Sequence, residues 1–123
     1  MDTEPVESIS AITLVTRDMG AAHDFYAALG FALLYGGADE PFTSFRAGTG
    51  YLNLQLAADG TATAPGWGRV IFWVRDVDDM YDRAVAAGFR PLMSPADATW
   101  GERYFHIHDP DGHELSFARP LAP

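Results

Sequence analysis

Cysteine is absent from this chain of 123 residues, which excludes a disulfide framework, a thiol nucleophile and a zinc knuckle. Basic residues are few, since eight Lys plus Arg stand against 17 Asp plus Glu, for a formal charge of −9. That balance argues against nucleic-acid partners, which need a basic face, and against docking on anionic membranes. The lack of cysteine suits a reducing compartment, and we therefore expect a cytoplasmic protein.

Long hydrophobic runs are also missing. No stretch approaches the ~18 uninterrupted apolar residues of a membrane span. The acidic start, MDTEPVES, has no basic region followed by an apolar run, so we expect a frayed tail and not a signal peptide. What remains is one domain's length with 48% apolar and 20% charged residues, the composition of an ordinary globular protein.

The chain contains an internal repeat, in which residues 11–34 align with residues 69–92 without a gap. Arg-Asp at residues 17–18 falls on Arg-Asp at residues 75–76, and Gly-Phe at residues 30–31 falls on Gly-Phe at residues 88–89. Each half opens with a short apolar run, passes through an amphipathic stretch and closes at Gly-Phe. The sequence therefore predicts two copies of one structural unit.

Each copy predicts one strand, one helix and three further strands. The opening runs, ITLVT and VIFWV, are rich in β-branched and aromatic residues and are too short for helices. Asp18 and Asp76 stand at the N-cap of an amphipathic stretch, and Gly30 and Gly88 stand where a left-handed residue ends a helix. The later strands are expected at residues 31–35, 42–46, 51–56, 91–93, 104–108 and 114–118.

We expect a single α+β domain built from two βαβββ modules, at about residues 8–56 and 69–119, with a turn-rich linker at residues 57–68. One face of each curved mixed sheet meets a helix, and the other encloses a cavity. Strand alternation places Leu54 and Phe72 under the helices and Gln55 and Trp73 in the cavity. Because each sheet leaves an edge and an open face, we also expect a homodimer.

This order of elements resembles the glyoxalase / bleomycin-resistance / extradiol-dioxygenase (vicinal oxygen chelate) superfamily. The resemblance covers residues 9–119 and depends on three segments, LVTRDMGAAHDFYAALGF, VIFWVRDVDDMYDRAVAAGF and WGERYFHIHDPDGHELSFARP. The third segment contains an Asp-Pro-Asp-Gly turn before the last strand. It implies the fold of two βαβββ modules around a cavity. It leaves the activity open, because this fold hosts lyases, isomerases, dioxygenases and plain drug binders.

The resemblance also implies four metal-ligand positions on the inner sheet faces. Those in the first strand of each half fall on Ala11 and Arg69, and the one in the final strand falls on Ser116. We take Gln55 as the counterpart of Ser116, with Asn53 as the neighbouring inward position. A methyl group cannot ligate, a guanidinium brings a fixed positive charge, and Ser and Gln are weak neutral donors. We therefore expect no metal and no other cofactor, and we favour a protein that is not an enzyme.

Histidines are the remaining metal candidates. His106 and His108 share a strand face, and His113 follows across a turn, so the three could form a replacement zinc site. Such a pair on a strand is common by chance, however, and we expect His108 and His113 to flank a solvent-exposed turn. His23, on the first helix, is expected at the surface.

The cavity-facing side chains predict a small-molecule site, because they combine aromatic surface with a few convergent polar groups. A purely structural role stays open for Trp73, as a core residue, and for Arg69 with Glu114, as a salt bridge. The predicted ligand-binding residues are Tyr51, Asn53, Gln55, Arg69, Trp73, Trp100, Tyr104, His106, Glu114 and Ser116.

These observations favour a metal-free protein that binds a small aromatic or cationic molecule, such as an antibiotic, in the manner of bleomycin resistance proteins. The acidic charge would steer a cationic ligand. The alternative is a metal-dependent lyase or dioxygenase of the glyoxalase superfamily, which needs ligands that the four positions lack. A third interpretation is a metal-free enzyme with His106 as general base and Glu114 or Tyr104 nearby.

Overall fold

The computed structural model describes residues 5–58 and 67–122, so the first four residues and most of the predicted linker lie outside it. Both helices have ten residues, and no helix in the described ranges is long and apolar enough to cross a bilayer. The elements in chain order are β1 (Ala11–Thr16), α1 (Met19–Ala28), β2 (Leu33–Tyr35), β3 (Phe42–Ala47), β4 (Gly50–Leu56), β5 (Arg69–Trp73), α2 (Val77–Ala86), β6 (Ala96–Asp97), β7 (Glu102–His108) and β8 (Glu114–Pro120).

The two halves form two four-stranded mixed sheets with the same topology, β1-β4-β3-β2 and β5-β8-β7-β6. In each sheet the first strand pairs in parallel with the last, and the remaining neighbours are antiparallel. The α+β fold of two βαβββ modules is therefore confirmed.

Both helices begin and end where the repeat predicts. The carboxylates of Asp18 and Asp76 accept hydrogen bonds of 3.0 Å from the third backbone N–H after them, and such a cap stabilises a helix by ~1 kcal/mol. Gly30 and Gly88 follow the helices with φ of 98° and 90°. Residues with a side chain rarely adopt this left-handed conformation, so glycine ends both helices at little cost.

The strand predicted at residues 91–93 is wrong. The sixth strand is instead Ala96–Asp97, which pairs with Tyr104 and Arg103 of β7. Pro91 has no N–H to donate to a neighbouring strand, although the N–H of Leu92 does reach the carbonyl of His106 at 2.8 Å. The edge of the second sheet is therefore displaced along the chain.

One hydrophobic core joins the two modules. Phenylalanine rings meet across the boundary: the ring centroids of Phe31 and Phe72 are 5.0 Å apart, and those of Phe25 and Phe89 are 4.6 Å apart. Leu54 is fully buried and Phe72 packs against the core, whereas Gln55 and Trp73 are exposed. The predicted strand register is thus confirmed, and each sheet keeps one face outside the core.

A buried polar junction also joins the modules through the turn between β7 and β8. The Tyr26 hydroxyl donates to Asp109 Oδ2 at 2.7 Å, and the Arg17 backbone N–H donates to Asp111 Oδ1 at 3.0 Å. Asp109 Oδ1 accepts from the backbone N–H groups of Asp111 and His113, both at 2.9 Å. Burial raises the pKa of Tyr26, and it also raises the pKa of Asp109.

His113 belongs to the same junction. The indole Nε1 of Trp67 donates a hydrogen bond to His113 Nδ1 at 3.0 Å. On the other side of the ring, His113 Nε2 is hydrogen-bonded to the carbonyl oxygen of Val15 at 2.8 Å. The expectation of a solvent-exposed turn holds for His108 but is wrong for His113, which is 4% exposed. This end of the turn can be buried because the Asp109 carboxylate accepts from the backbone N–H groups of Asp111 and His113, which burial would otherwise leave unpaired.

Candidate functional site: a trough on the second sheet

The open face of the second sheet has small residues in its middle strand and larger ones on both sides. Ala118 and Ser116 lie on β8, between side chains of β5 and β7 that stand higher. The three rows across β5, β8 and β7 are Trp73, Ala118 and Tyr104; then Ile71, Ser116 and His106; then Arg69, Glu114 and His108. The resulting trough encloses about 170 Å³ and is lined by Arg69, Ile71, Trp100, Glu102, Tyr104, His106, Ser116 and Ala118.

One wall of the trough is a row of three rings. The ring centroids of Trp100 and Tyr104 are 5.6 Å apart, and those of Tyr104 and His106 are 5.0 Å apart. The Trp100 indole Nε1 donates to Glu102 Oε1 at 3.0 Å, which orients a side chain that is 68% exposed. This wall offers stacking surface whose orientation is already set before a ligand arrives.

The floor of the trough carries a hydrogen-bonded pair. The Ser116 hydroxyl and His106 Nδ1 lie 2.6 Å apart, and Ser116 is buried. Burial lowers the pKa of His106, and the positive charge of Arg69 lowers it further, against an opposing contribution from Glu114. Both effects disfavour the protonated imidazole of His106, so they favour its neutral form.

One end of the trough is polar, because Arg69 Nη1 donates to Glu114 Oε2 at 2.9 Å. Both side chains are partly exposed, so solvent screens this ion pair and it adds little to stability. Its effect is local: it puts a fixed cation and a carboxylate at one end of an otherwise aromatic surface.

The structure separates the predicted site residues into two groups. Six residues of the second half lie together: Arg69, Trp100, Tyr104, His106 and Ser116 line the trough, and Glu114 adjoins it. The remaining predicted residues lie elsewhere, namely Tyr51, Asn53 and Gln55 on the open face of the first sheet and Trp73 in neighbouring grooves.

Trp73 shares the open face of the second sheet but does not line the trough. It is 67% exposed, so the interpretation of Trp73 as a core residue is wrong. Tyr51 and Arg69 line one groove of about 320 Å³, together with other residues of β1, β4 and β5.

Three trough residues are not among the predicted ligand-binding residues, namely Ile71, Glu102 and Ala118. The signal for Ala118 is present in the sequence, because it follows Ser116 at the two-residue spacing of one strand face. Alternation shows that Ala118 shares this face. It does not show that Ala118 lies between the larger side chains of β5 and β7, which make its position the floor of a depression.

The four positions that the family uses for a metal do not fit one here. Strand pairing first corrects the fourth of them: Ser116 pairs with Ile71, whose repeat equivalent Thr13 pairs with Asn53 and not with Gln55. The set of Ala11, Asn53, Arg69 and Ser116 supplies no carboxylate or imidazole, and the guanidinium of Arg69 repels a cation. Within residues 5–58 and 67–122, moreover, no three His, Asp or Glu side chains are grouped to hold a metal ion.

Comparison with solved structures shows the same fold in several proteins. A glyoxalase/bleomycin resistance protein/dioxygenase from Nocardioides is 26% identical, with a TM-score of 0.71 over 97% of this chain and 87% of that one. TioX from Micromonospora sp. ML1 is 25% identical, with a TM-score of 0.72 over 94% of this chain and all of that one. A lactoylglutathione lyase from Agrobacterium tumefaciens is 20% identical, with a TM-score of 0.72 over 94% and 95% of the two chains, and shares the fold alone.

Sequence comparison gives the family. A curated uncharacterized protein from Mycobacterium bovis is 40% identical over 48 residues, which are 39% of this chain and 32% of that protein. The match thus spans about a third of that relative's length. The sequence model of the Glyoxalase/Bleomycin resistance protein/Dioxygenase superfamily matches residues 8–117, and the chain belongs to this superfamily.

Proposed function

We propose that this protein binds a small aromatic molecule, preferably a cationic one, in the trough without transforming it. The observation that carries the proposal is the ring wall of Trp100, Tyr104 and His106 beside a short polar floor at Ser116. Stacking on such rings and a few fixed hydrogen-bonding groups are what small-molecule sites use for affinity and orientation.

The preference for a cation follows from charge. The chain carries −9 overall, which attracts cations over distances of about a Debye length, ~8–10 Å. Glu102 and Glu114 stand at the trough itself, and aromatic faces attract cations as well. Arg69 offsets part of this charge at one end, so the cationic group is expected beside Glu102 and Trp100.

A second copy of the chain is proposed as the other half of the site. The trough encloses about 170 Å³, whereas small-molecule pockets usually enclose ~300–1,000 Å³, so one chain alone covers about one ring of a ligand. Apolar side chains remain exposed on both open faces, Val15 and Tyr51 on the first sheet and Ile71 on the second. Pairing two copies through these three residues would bury them, leave Trp73 at the end of β5 outside the contact, and enclose two equivalent cavities.

Ligand screening tests the binding proposal. Bleomycin-type antibiotics and planar cationic aromatics are expected to raise the melting temperature, since a ligand of the native state stabilises it. Trp100→Ala should then weaken binding by ~1–3 kcal/mol, as measured by isothermal titration calorimetry. Tyr35→Ala, which removes an exposed ring from the first sheet, is the matched control and should leave affinity unchanged.

Two results would contradict this proposal. One is turnover of a methylglyoxal–thiol adduct or a catechol by metal-free protein, which would make it an enzyme. The other is a light-scattering mass that stays at one chain, 13.4 kDa, from micromolar to millimolar concentration, which would remove the second copy.

A second candidate function, metal-free proton transfer, is favoured by the pairing of His106 with Ser116 at 2.6 Å. A neutral imidazole held by a buried hydroxyl has the form that a general base needs. Exchange of a substrate C–H proton for deuterium in D₂O, lost in His106→Asn, would support it. Ligands that bind with no exchange at any pH would favour the binding function.

A further inference from the structure

The arginines of this protein are divided between paired and unpaired side chains. All eight basic residues are arginine. Arg17, Arg69 and Arg103 form ion pairs with carboxylates, and Arg119 reaches a backbone carbonyl. Throughout the described ranges, those with no ion pair or hydrogen bond of their side chains are Arg46, Arg75, Arg83 and Arg90.

Three of the four unpaired arginines line one groove, which we call the arginine groove. It consists of two adjoining depressions of about 440 and 530 Å³ between the modules. Arg46 lines the first depression and comes from β3, whereas Arg75 and Arg83 line the second and come from the other module. The residues common to both depressions are Gly30, Gly48, Trp73, Val74 and Met80.

The groove is open to a planar molecule. Trp73, 67% exposed, forms part of the lining of both depressions. Gly48 also lines both depressions, and the position that its Cβ would take has no atom within 4 Å. The Arg83 guanidinium lies 3.0 Å from the Cβ position of Gly30, so this side chain reaches from α2 across to the end of α1.

Local charge in the groove runs against that of the whole chain. Its carboxylates are Asp76 and Asp79, and Asp76 is already engaged as the N-cap of α2. Three guanidinium groups against two carboxylates leave a positive excess, while the whole chain has eight basic and 17 acidic residues. Unpaired guanidinium groups bind carboxylate, sulfonate and phosphate through parallel N–H donors, and they also stack on rings.

We infer that the arginine groove is a second binding site, which takes a planar aromatic anion, its ring on Trp73 and its anionic group on the arginines. The site is distinct from the trough in position and in charge preference, because none of these three arginines lines the trough. A protein with both sites binds an aromatic cation on one surface and an aromatic anion on another.

The test uses three naphthalene probes that differ in charge: 1-naphthoate, 1-naphthalenemethanol and 1-naphthylmethylamine. Binding is followed by ¹H–¹⁵N NMR of the three indole N–H groups, with the Trp73 signal assigned from Trp73→Phe. We expect 1-naphthoate to shift the Trp73 signal more than the other probes do, and to leave the Trp100 signal in place.

Charge variants complete the test. Arg75→Gln and Arg83→Gln should each weaken 1-naphthoate binding roughly three- to tenfold, the range for partly exposed charge-assisted contacts. Arg90→Gln removes an equal charge from an exposed residue outside the groove and should not change the affinity. Equal loss in Arg90→Gln, equal binding of the neutral probe, or a shift of Trp100 in place of Trp73 would each overturn the inference.

Discussion

The open faces of the two sheets share one backbone plan and differ in the side chains of the middle strand. Ala11 pairs with Tyr51 in the first sheet as Arg69 pairs with Glu114 in the second, so the repeat preserves register. On the open face, β4 carries Tyr51, Asn53 and Gln55, whereas the equivalent positions of β8 carry Glu114, Ser116 and Ala118.

Middle-strand size separates the two faces. In the first sheet, Asn53 stands between its neighbours and donates from Nδ2 to Thr13 Oγ1 at 3.2 Å, so the face has no low centre there. In the second, the short Ser116 and Ala118 lie between larger residues of β5 and β7. The difference teaches that a duplicated module can gain a concave site from small residues in one strand, with no change of fold.

The largest effect is expected when the buried polar junction between the two modules is removed. Asp109→Ala removes the acceptor of the Tyr26 hydroxyl and of two backbone N–H groups, all within the buried junction. We expect the free energy of unfolding to fall by about 3 kcal/mol, since a buried donor left unpaired costs ~1–3 kcal/mol. Urea denaturation measures this change.

Asp82→Ala is the control for that experiment, because it removes an exposed carboxylate from α2. It should change stability by no more than ~0.5 kcal/mol. Equal effects of the two substitutions would show that the buried junction does not hold the modules together.

Exchanging the middle-strand residues breaks the comparison without unfolding the protein. Ser116→Asn with Ala118→Gln gives β8 the side chains of β4 and fills the trough. We expect at least a tenfold loss of affinity for a ligand found in the screen, because the stacking wall is then obstructed. Calorimetry measures the affinity, and Tyr35→Ala, an exposed residue of β2 outside the trough, should leave it within a factor of two.

Much of the fold was predictable from the sequence, because local patterns determine it. The carboxylates of Asp18 and Asp76 and the glycines after them define both helices. Two-residue alternation correctly assigns Leu54 and Phe72 to the core side. Such signals act within one helix or strand, so they do not depend on contacts with the rest of the chain.

The incorrect predictions concern contacts between distant elements. His113 is buried because Val15, from the other module, accepts its hydrogen bond, and no local pattern reports that partner. Asn53, and not Gln55, corresponds to Ser116, because strand pairing sets the register. Counting residues from the preceding turn gives the wrong position, since the turns of the two halves differ in length. Alternation likewise tells which face a residue occupies but not how deep that face is.

Charge offers a finer test of the second sheet. Glu114→Gln should weaken binding of a cationic aromatic about threefold and leave a neutral isostere unchanged, since an exposed carboxylate contributes mainly through screened attraction. The same substitution removes the ion-pair partner of Arg69, and the uncompensated guanidinium then repels a cationic ligand. Parallel titrations with the two ligands measure the ratio, and equal losses for both would mean that Glu114 acts through shape alone.

The smallest expected effect is on the titration of His106, a group with no counterpart histidine on the open face of the first sheet within the described strands. Burial is the main cause of its lowered pKa and Arg69 is the second, while Glu114 acts in the opposite direction. Arg69→Gln should therefore raise the pKa of His106, and Arg90→Gln should leave it unchanged.

The sign of the linked stability effect follows from the same shift. A histidine whose pKa is lower in the folded protein than in the unfolded chain binds fewer protons when folded. Its contribution to stability is complete above pH ~6.5, the ordinary value, and is lost as pH falls below it towards the folded pKa. Arg69→Gln should reduce that loss. Carbon-13 NMR of the imidazole measures the pKa, and an unchanged pKa in Arg69→Gln would show that the charge of Arg69 does not act on His106.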